Sequence, residues 1–302
     1  MSKLKVLVTG ATGLVGSHFV EKAYDFILLK PSSEEFNLLD TKSIESYLAK
    51  NSPDWIVNFA AFTDVNAAEM QKGDTSGIAW QVNVVGVENI LKCFKSKNFI
   101  QISTDMVFEG NLAKPGPYDE DVKPPETDKD LTWYGFTKNR AEKLVKERGA
   151  TILRIIYPVR VKFDKKLDYI RGPLKKHSEG NLHPLFNDQQ ICISYIPEVS
   201  DTIKKIIEID AHGVFHACSD TTTPFDLIKR TLDEIGEDSS SMKSSSVVEF
   251  LKTQTNPSRY PVWGGLKTKK TEDLLDVHFS TWQTVIDYLV AEGLKVPVNS
   301  IN

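Results

Sequence analysis

Up to Ile155, short apolar runs rich in β-branched residues alternate with longer stretches whose apolar residues recur at helical spacing. Lys5–Thr9, Phe26–Leu29, Trp55–Asn58, Phe99–Ser103 and Thr151–Ile155 read as strands. Between them, Leu14–Tyr24, Thr41–Asn51, Ile78–Phe94 and Tyr134–Arg148 read as helices, the second capped by Asp40 or Thr41. A loop rich in Pro, Gly and Asp spans Glu109–Thr132. This alternation predicts an α/β protein with a Rossmann-type, doubly wound parallel sheet. In such sheets ligands bind at the carboxyl ends of the strands. The polar strand ends, Thr9-Gly10, Asn58, Ser103-Thr104 and Tyr157, are therefore expected to face one crevice.

Past Tyr157 the pattern weakens. The basic stretch Lys162–Lys176 predicts a helix with a solvated face, and Ile191–Ile196 a strand. Val199–Ile209, Pro224–Ile235 and Trp282–Glu292 read as helices, and Gly213–Ala217 as a strand. Serine-rich segments near Ser239 and Ser244 flank a loop, and Val296–Asn302 is expected to fray.

Composition narrows the function classes. The 302 residues carry a net charge of −4, so no broad basic field points to nucleic acid. The N-terminal apolar run is too short for a signal peptide or membrane span, which predicts a cytoplasmic protein with no membrane partner. Cys93, Cys192 and Cys218 are odd in number and far apart, and the six histidines make no HxxH pattern. No metal site is expected.

Two motifs carry candidate chemistry. Gly10-x-x-Gly13-x-x-Gly16 lies between a strand and a helix, the context of a dinucleotide loop. Its glycines let a pyrophosphate approach the helix N-terminus, where unpaired N–H groups and the macrodipole attract anions. A plain strand–helix turn is the bland alternative. The second strand runs into Lys30 with no acid before Glu34. A lysine there suits a ribose 2′-phosphate, favouring NADP(H) with NAD(H) as the alternative, although an exposed lysine needs no such role. Asp40, after Leu39, is placed near the adenine. Tyr134 and Lys138, four residues apart, share a helix face. An ammonium beside a phenol favours the ionised phenol and makes it a better proton donor, while the spacing alone also fits a solvated face.

In order along the chain stand Gly10-Ala-Thr-Gly-Leu-Val-Gly16, Asn58-Phe-Ala-Ala61-Phe-Thr-Asp64, Val82-Asn83-x-x-Gly86, Ser103-Thr104-Asp105-x-Val107-Phe108-x-Gly110 and Tyr134-x-x-x-Lys138. Leu153-Arg154, Gly213-Val-Phe-His216 and Arg259-Tyr-Pro261 follow. This set resembles the extended short-chain dehydrogenase/reductases, and within them the dTDP-4-dehydrorhamnose reductase group. The resemblance implies an NAD(P)-binding domain over residues 1–157, to which segments about 190–220 return. Residues 158–302 would form mainly a smaller α/β lobe for a nucleotide-sugar. It implies reduction of the 4-keto group of a nucleotide-activated deoxysugar. Tyr134 would protonate the alkoxide, Lys138 would lower its pKa and hold the nicotinamide ribose, and Thr104 would bind the substrate carbonyl. Gly10, Thr12, Gly13, Leu14, Val15, Gly16, Lys30, Leu39, Asp40, Ala60, Ala61 and Phe62 would line the cofactor site with Tyr134 and Lys138. Thr104, Asp105, Met106, Tyr157 and Arg259 would meet the substrate, Arg259 as a pyrophosphate ligand or a surface ion pair. Family members are often dimers, so a homodimer is an expected partner state.

The chain departs from the family pattern at Met106, Ile156-Tyr157, Gln190–Ser194 and Lys267, all where sugar and nucleotide would be held. Two alternatives therefore stand beside the reductase. One is an NADP-binding regulatory protein similar to the methionine adenosyltransferase β subunit; the other is a nucleotide-sugar epimerase or dehydratase.

Overall fold

The computed structural model describes residues 3–254 and 260–297. The chain divides into two compact units. The first takes residues up to Phe108, Lys123–Arg154 and Ser200–Phe215; the second takes Glu109–Val122, Ile155–Val199 and the chain from His216 onward. The loop read from the sequence over 109–132 is thus shared between them.

The elements lying wholly or mostly in the first unit are β1 (Lys5–Thr9), α1 (Leu14–Lys22), β2 (Ile27–Leu29), α2 (Thr41–Asn51), β3 (Trp55–Asn58), α3 (Val65–Glu69), α4 (Ile78–Trp80), α5 (Gly86–Cys93), β4 (Phe99–Thr104), α6 (Trp133–Glu147), β5 (Thr151–Ile155), α7 (Ile196–Glu208) and β6 (Val214–His216). The six strands form one sheet in the order β2-β1-β3-β4-β5-β6, and β1 pairs in parallel with both β2 and β3. The chain leaves β1 toward β2 on one side and returns to β3 on the other. That reversal is the topological switch point at which doubly wound sheets bind ligands. β3, β4 and β5 are buried along their whole length, which is why they read as continuous apolar runs rather than alternating ones. Leu7, Ile56, Phe99 and Ile152 from the sheet pack with Ile44, Ile90, Ala141 and Val145 from the helices.

The helix expected over Ile78–Phe94 is present but not uniform: Gln81–Val85, between α4 and α5, is a π-helical turn. Periodicity could not show this, because a π turn changes the hydrogen-bond register and not the residue types. The short α3, absent from the sequence reading, exists because the Asp64 carboxylate accepts from Ala67 N at 2.9 Å.

In the second unit Val159, Leu174, Ile193, Leu227, Ile286 and Leu289 lie in one core. The helices there are Arg171–Ser178, Pro224–Glu234, Val247–Leu251, Lys269–Leu275 and Trp282–Ala291. The expected basic helix over 162–176 is confined to Arg171–Ser178, and Arg171 is buried rather than solvated. Asp168 explains both: its carboxylate accepts from Ile170 N and Arg171 N, and pairs with Arg171 Nε at 2.7 Å. The guanidinium then donates to the carbonyls of Phe163 and Lys166, which holds the lysine-bearing segment as a loop. Of the expected strand Ile191–Ile196, only Ser194–Tyr195 pairs regularly, in parallel with Pro158–Val159. Most of the expected frayed tail, residues 298–302, lies outside the described residues.

Candidate active site

The glycine loop is built as a dinucleotide loop requires. Gly10 has φ +62°, and a Cβ there would lie 2.8 Å from Ala60 N. A Cβ on Gly16 would lie 2.4 Å from Gly10 O, so a side chain there would force the β1–α1 turn apart, while one at Gly10 would push away the loop after β3. Gly13 differs: its Cβ position meets only Gly10 O, at 3.3 Å, and the residue is exposed. It is also the N-cap of α1 and offers no side-chain cap. Open space in front of an uncapped helix N-terminus fits a pyrophosphate. Thr12 is exposed there, and Leu14 and Val15 are half-buried in the first turn.

Lys30 is exposed directly past β2. Leu39 is also exposed, and its loop is held by Asn89, whose Nδ2 donates to Leu38 O at 2.9 Å. The Asp40 carboxylate accepts from Lys42 N at 3.0 Å and so caps α2. Ala60, Ala61 and Phe62 follow β3, and Asn83 on the π-helical turn fixes their path. Its Oδ1 accepts from Phe62 N at 2.8 Å, and its Nδ2 donates to Phe62 O and to Thr137 Oγ1 on α6.

Thr104 ends β4 and caps the short 3₁₀ turn Asp105–Val107, accepting from Met106 N at 3.2 Å and donating to Asp105 Oδ1 at 3.2 Å. α6 meets this turn through Gly135, whose Cβ position lies only 2.0 Å from Met106 O. Glycine alone allows that approach, and it sets Tyr134 beside the turn. Thr132 caps the helix, accepting from Gly135 N at 3.0 Å.

Two buried side chains tie α6 to the sheet. Lys138 Nζ donates to Ile102 O at 2.7 Å. One turn on, Glu142 accepts from Ser103 Oγ at 2.6 Å and from Arg154 Nε and Nη2 at 2.9 and 2.6 Å. Arg154 is fully buried, with its guanidinium 4.7 Å from the Phe108 ring centroid. Burial lowers the Lys138 pKa to about 8, with Glu142 opposing. Burial, and then the Asp105 carboxylate, push the half-buried Tyr134 phenol above its ordinary value. This is opposite to the lowering expected from the Tyr-x-x-x-Lys spacing, and desolvation is the reason.

The structure thus brings the glycine loop, Ala60–Phe62, Thr104–Met106, Tyr134 and Lys138 to the carboxyl edge of one sheet. Tyr157 belongs to the second unit, where its ring stacks on Tyr169 at 3.8 Å. Arg259 lies outside the described residues. Among the described residues no group of three or more His, Cys, Asp or Glu could hold a metal ion, and no helix is long and apolar enough to cross a membrane.

A family model for the RmlD substrate binding domain matches residues 4–294. The chain belongs to that family. A Haloferax volcanii relative described as a probable low-salt glycan biosynthesis reductase is 27% identical over 271 residues, covering 83% of this chain and 87% of its own. The methionine adenosyltransferase 2 subunit beta of Rattus norvegicus is 34% identical over 164 residues, covering 50% of this chain and 46% of its own. The crystal structure of dTDP-4-dehydrorhamnose reductase from Bacillus anthracis, in complex with NADP, shares the fold. Its TM-score is 0.81 at 20% identity, with 96% of this chain and all of that one covered.

The sequence reading missed Gly135 and Glu142. Gly135 was visible as a glycine next to Tyr134, but a helical glycine signals nothing until its neighbour is known. Glu142 sits one helical turn past Lys138, a spacing that could have marked it.

Proposed function

We propose that the protein reduces the 4-keto group of a nucleotide-activated deoxysugar with NADPH, NADH being the alternative. The observation that carries this reading is the contact at Gly135, which sets Tyr134 against the Thr104–Met106 turn while Lys138 is anchored to the same strand. A bound reduced nicotinamide supplies the hydride. Tyr134 supplies the proton: raised above its ordinary value, the phenol is fully protonated at neutral pH. Lys138, charged below about pH 8, offsets the negative charge that develops as that proton leaves. Thr104 Oγ1 holds the carbonyl oxygen within reach, exchanging its bond to Asp105 for one to the substrate. Gly10, Gly13 and Gly16 admit the pyrophosphate, and Lys30 faces a 2′-phosphate. The free cysteines suit a cytoplasmic setting.

Loss of reduced-nicotinamide absorbance with dTDP-, UDP-, GDP- and CDP-linked 4-keto-6-deoxysugars tests this. Turnover on one of them, reduced by about 100-fold or more in Tyr134→Phe with NADPH affinity retained, is the expected result. Tight NADPH binding with no turnover on any sugar overturns it. That outcome favours a regulatory role, the reading to which the similarity to the methionine adenosyltransferase β subunit points.

A further inference from the structure

A line of buried side chains crosses the sheet beneath the site. Thr9 Oγ1 on β1 accepts from Ala60 N at 3.3 Å and donates to Asn58 Oδ1 on β3. Asn58 Nδ2 donates to Gln101 Oε1 on β4 at 2.7 Å. Gln101 Nε2 donates to Ile102 O at 2.8 Å, the same oxygen that accepts from Lys138 Nζ at 2.7 Å. Thr9, Asn58, Gln101 and Lys138 are all 5% exposed or less.

The line has a direction that cannot be reversed. A backbone N–H, which only donates, stands at one end, and a backbone C=O, which only accepts, at the other. The Thr9 proton must therefore point at Asn58, and each amide has one orientation that satisfies both neighbours. Gln101 is the link that closes the line, because its two ends are the acceptor and donor required. Its side chain also shares Lys138's anchoring oxygen, the Ile102 carbonyl.

We propose that Gln101 is a positioning residue, fixing Lys138 through the shared Ile102 carbonyl and joining it to Ala60 in the loop after β3. Its effect on turnover rests on the reductase reading above, whereas its effect on Lys138 does not. The carbonyl can serve two donors only if they approach from different directions, so the fixed amide defines the position left for the ammonium. The other charged or titratable groups around Lys138 are Glu142 on its own helix, Arg154 on β5 paired with Glu142, and Tyr134 and Asp105. None of these belongs to the line.

Two variants test it. Gln101→Glu keeps the shape and the acceptor for Asn58 but, when ionised, cannot donate to Ile102 O and adds a negative charge near the ammonium. Gln101→Met keeps the bulk and removes both bonds. Protein labelled with ε-¹³C-lysine is titrated by NMR, with Lys138→Arg assigning the signal, and NADPH-dependent turnover is followed against pH. In Gln101→Glu the Lys138 midpoint should rise by about half a pH unit or more, and the alkaline limb of kcat/KM should move with it. Gln101→Met should lower kcat by about tenfold or more, with a smaller change in KM for the sugar. A Lys138 midpoint in Gln101→Glu equal to that of the native chain refutes the proposal, as does native kcat in a folded Gln101→Met. Should Gln101→Met not fold, the Gln101→Glu titration decides alone. A shifted midpoint in a protein that reduces none of the sugars upholds Gln101 and refutes the reductase reading instead.

Discussion

Replacing Gly135 by alanine adds one carbon where the structure has no room for it. The added Cβ would stand 2.0 Å from Met106 O and 3.1 Å from Thr132 Oγ1. Real Cβ atoms essentially never come closer than 3.0 Å to such a neighbour, so the helix and the turn must separate by at least 1.0 Å. No rotamer relieves this, because an alanine Cβ is fixed by the backbone and the oxygen belongs to the main chain. Alanine in a helix is ordinarily better than glycine by about 1 kcal/mol. Overpacking of this kind costs roughly 1–3 kcal/mol, so the net destabilisation should be about 2 kcal/mol or less. The effect on turnover should be larger, since a misplacement of about 1 Å can cost on the order of 100-fold in rate. Thr104 and Tyr134 lie on the two sides that are driven apart. Urea denaturation and single-turnover NADPH oxidation measure the two effects separately. Gly172→Ala is the control: it lies in the helix Arg171–Ser178 with nothing within 4 Å of its Cβ, and should be neutral or stabilising. Native turnover in Gly135→Ala would show that the contact does not position the proton donor.

Three further outcomes are expected. Arg154→Met should cost about 3–5 kcal/mol by chemical denaturation, because it leaves the Glu142 carboxylate buried without its partner; adding Glu142→Leu should recover part of the loss. Lys138 holds its proton only to about pH 8 when folded, while an unfolded lysine holds it to about 10.4. The unfolded chain therefore binds more protons above about pH 8, so stability should rise with pH toward 10 while turnover falls. Parallel melting and kcat/KM profiles check this, and trends of the same sign would remove Lys138 from the account. Lys30→Glu should shift the NADPH-to-NADH ratio of dissociation constants by about tenfold toward NADH, measured by fluorescence titration.

The first unit was legible because its central strands β3, β4 and β5 are buried along their whole length and the helices between its strands carry helical periodicity. Boundaries from Lys5–Thr9 to Thr151–Ile155 fall within a residue or two of those read from the sequence. The second unit was not. Its strands are two residues long, too short to display a period, and its loop before Arg171 is shaped by one buried ion pair rather than by propensity. Within the site, the glycine loop and the Tyr-x-x-x-Lys pair could be read as local patterns. Gln101 could not, because a lone glutamine in an apolar strand shows its purpose only once Asn58 and Ile102 O are beside it. The direction of the Tyr134 shift was also hidden, since spacing reports neighbours on the same helix and not the loss of water around the ring.

The π-helical turn at Gln81–Val85 makes this helix unusually tolerant of a change in chain length. A π turn holds about one residue more than an α turn, so deleting one residue there returns the helix to ordinary register without breaking it. The residues flanking the turn would keep their faces, because the turn already absorbs the extra residue, and only those inside it would change theirs. Asn83 would leave its three bonds to Phe62 and Thr137. A one-residue gap at this point between related sequences therefore predicts a protein that still folds but has given up the clamp between the loop after β3 and the helix bearing Tyr134.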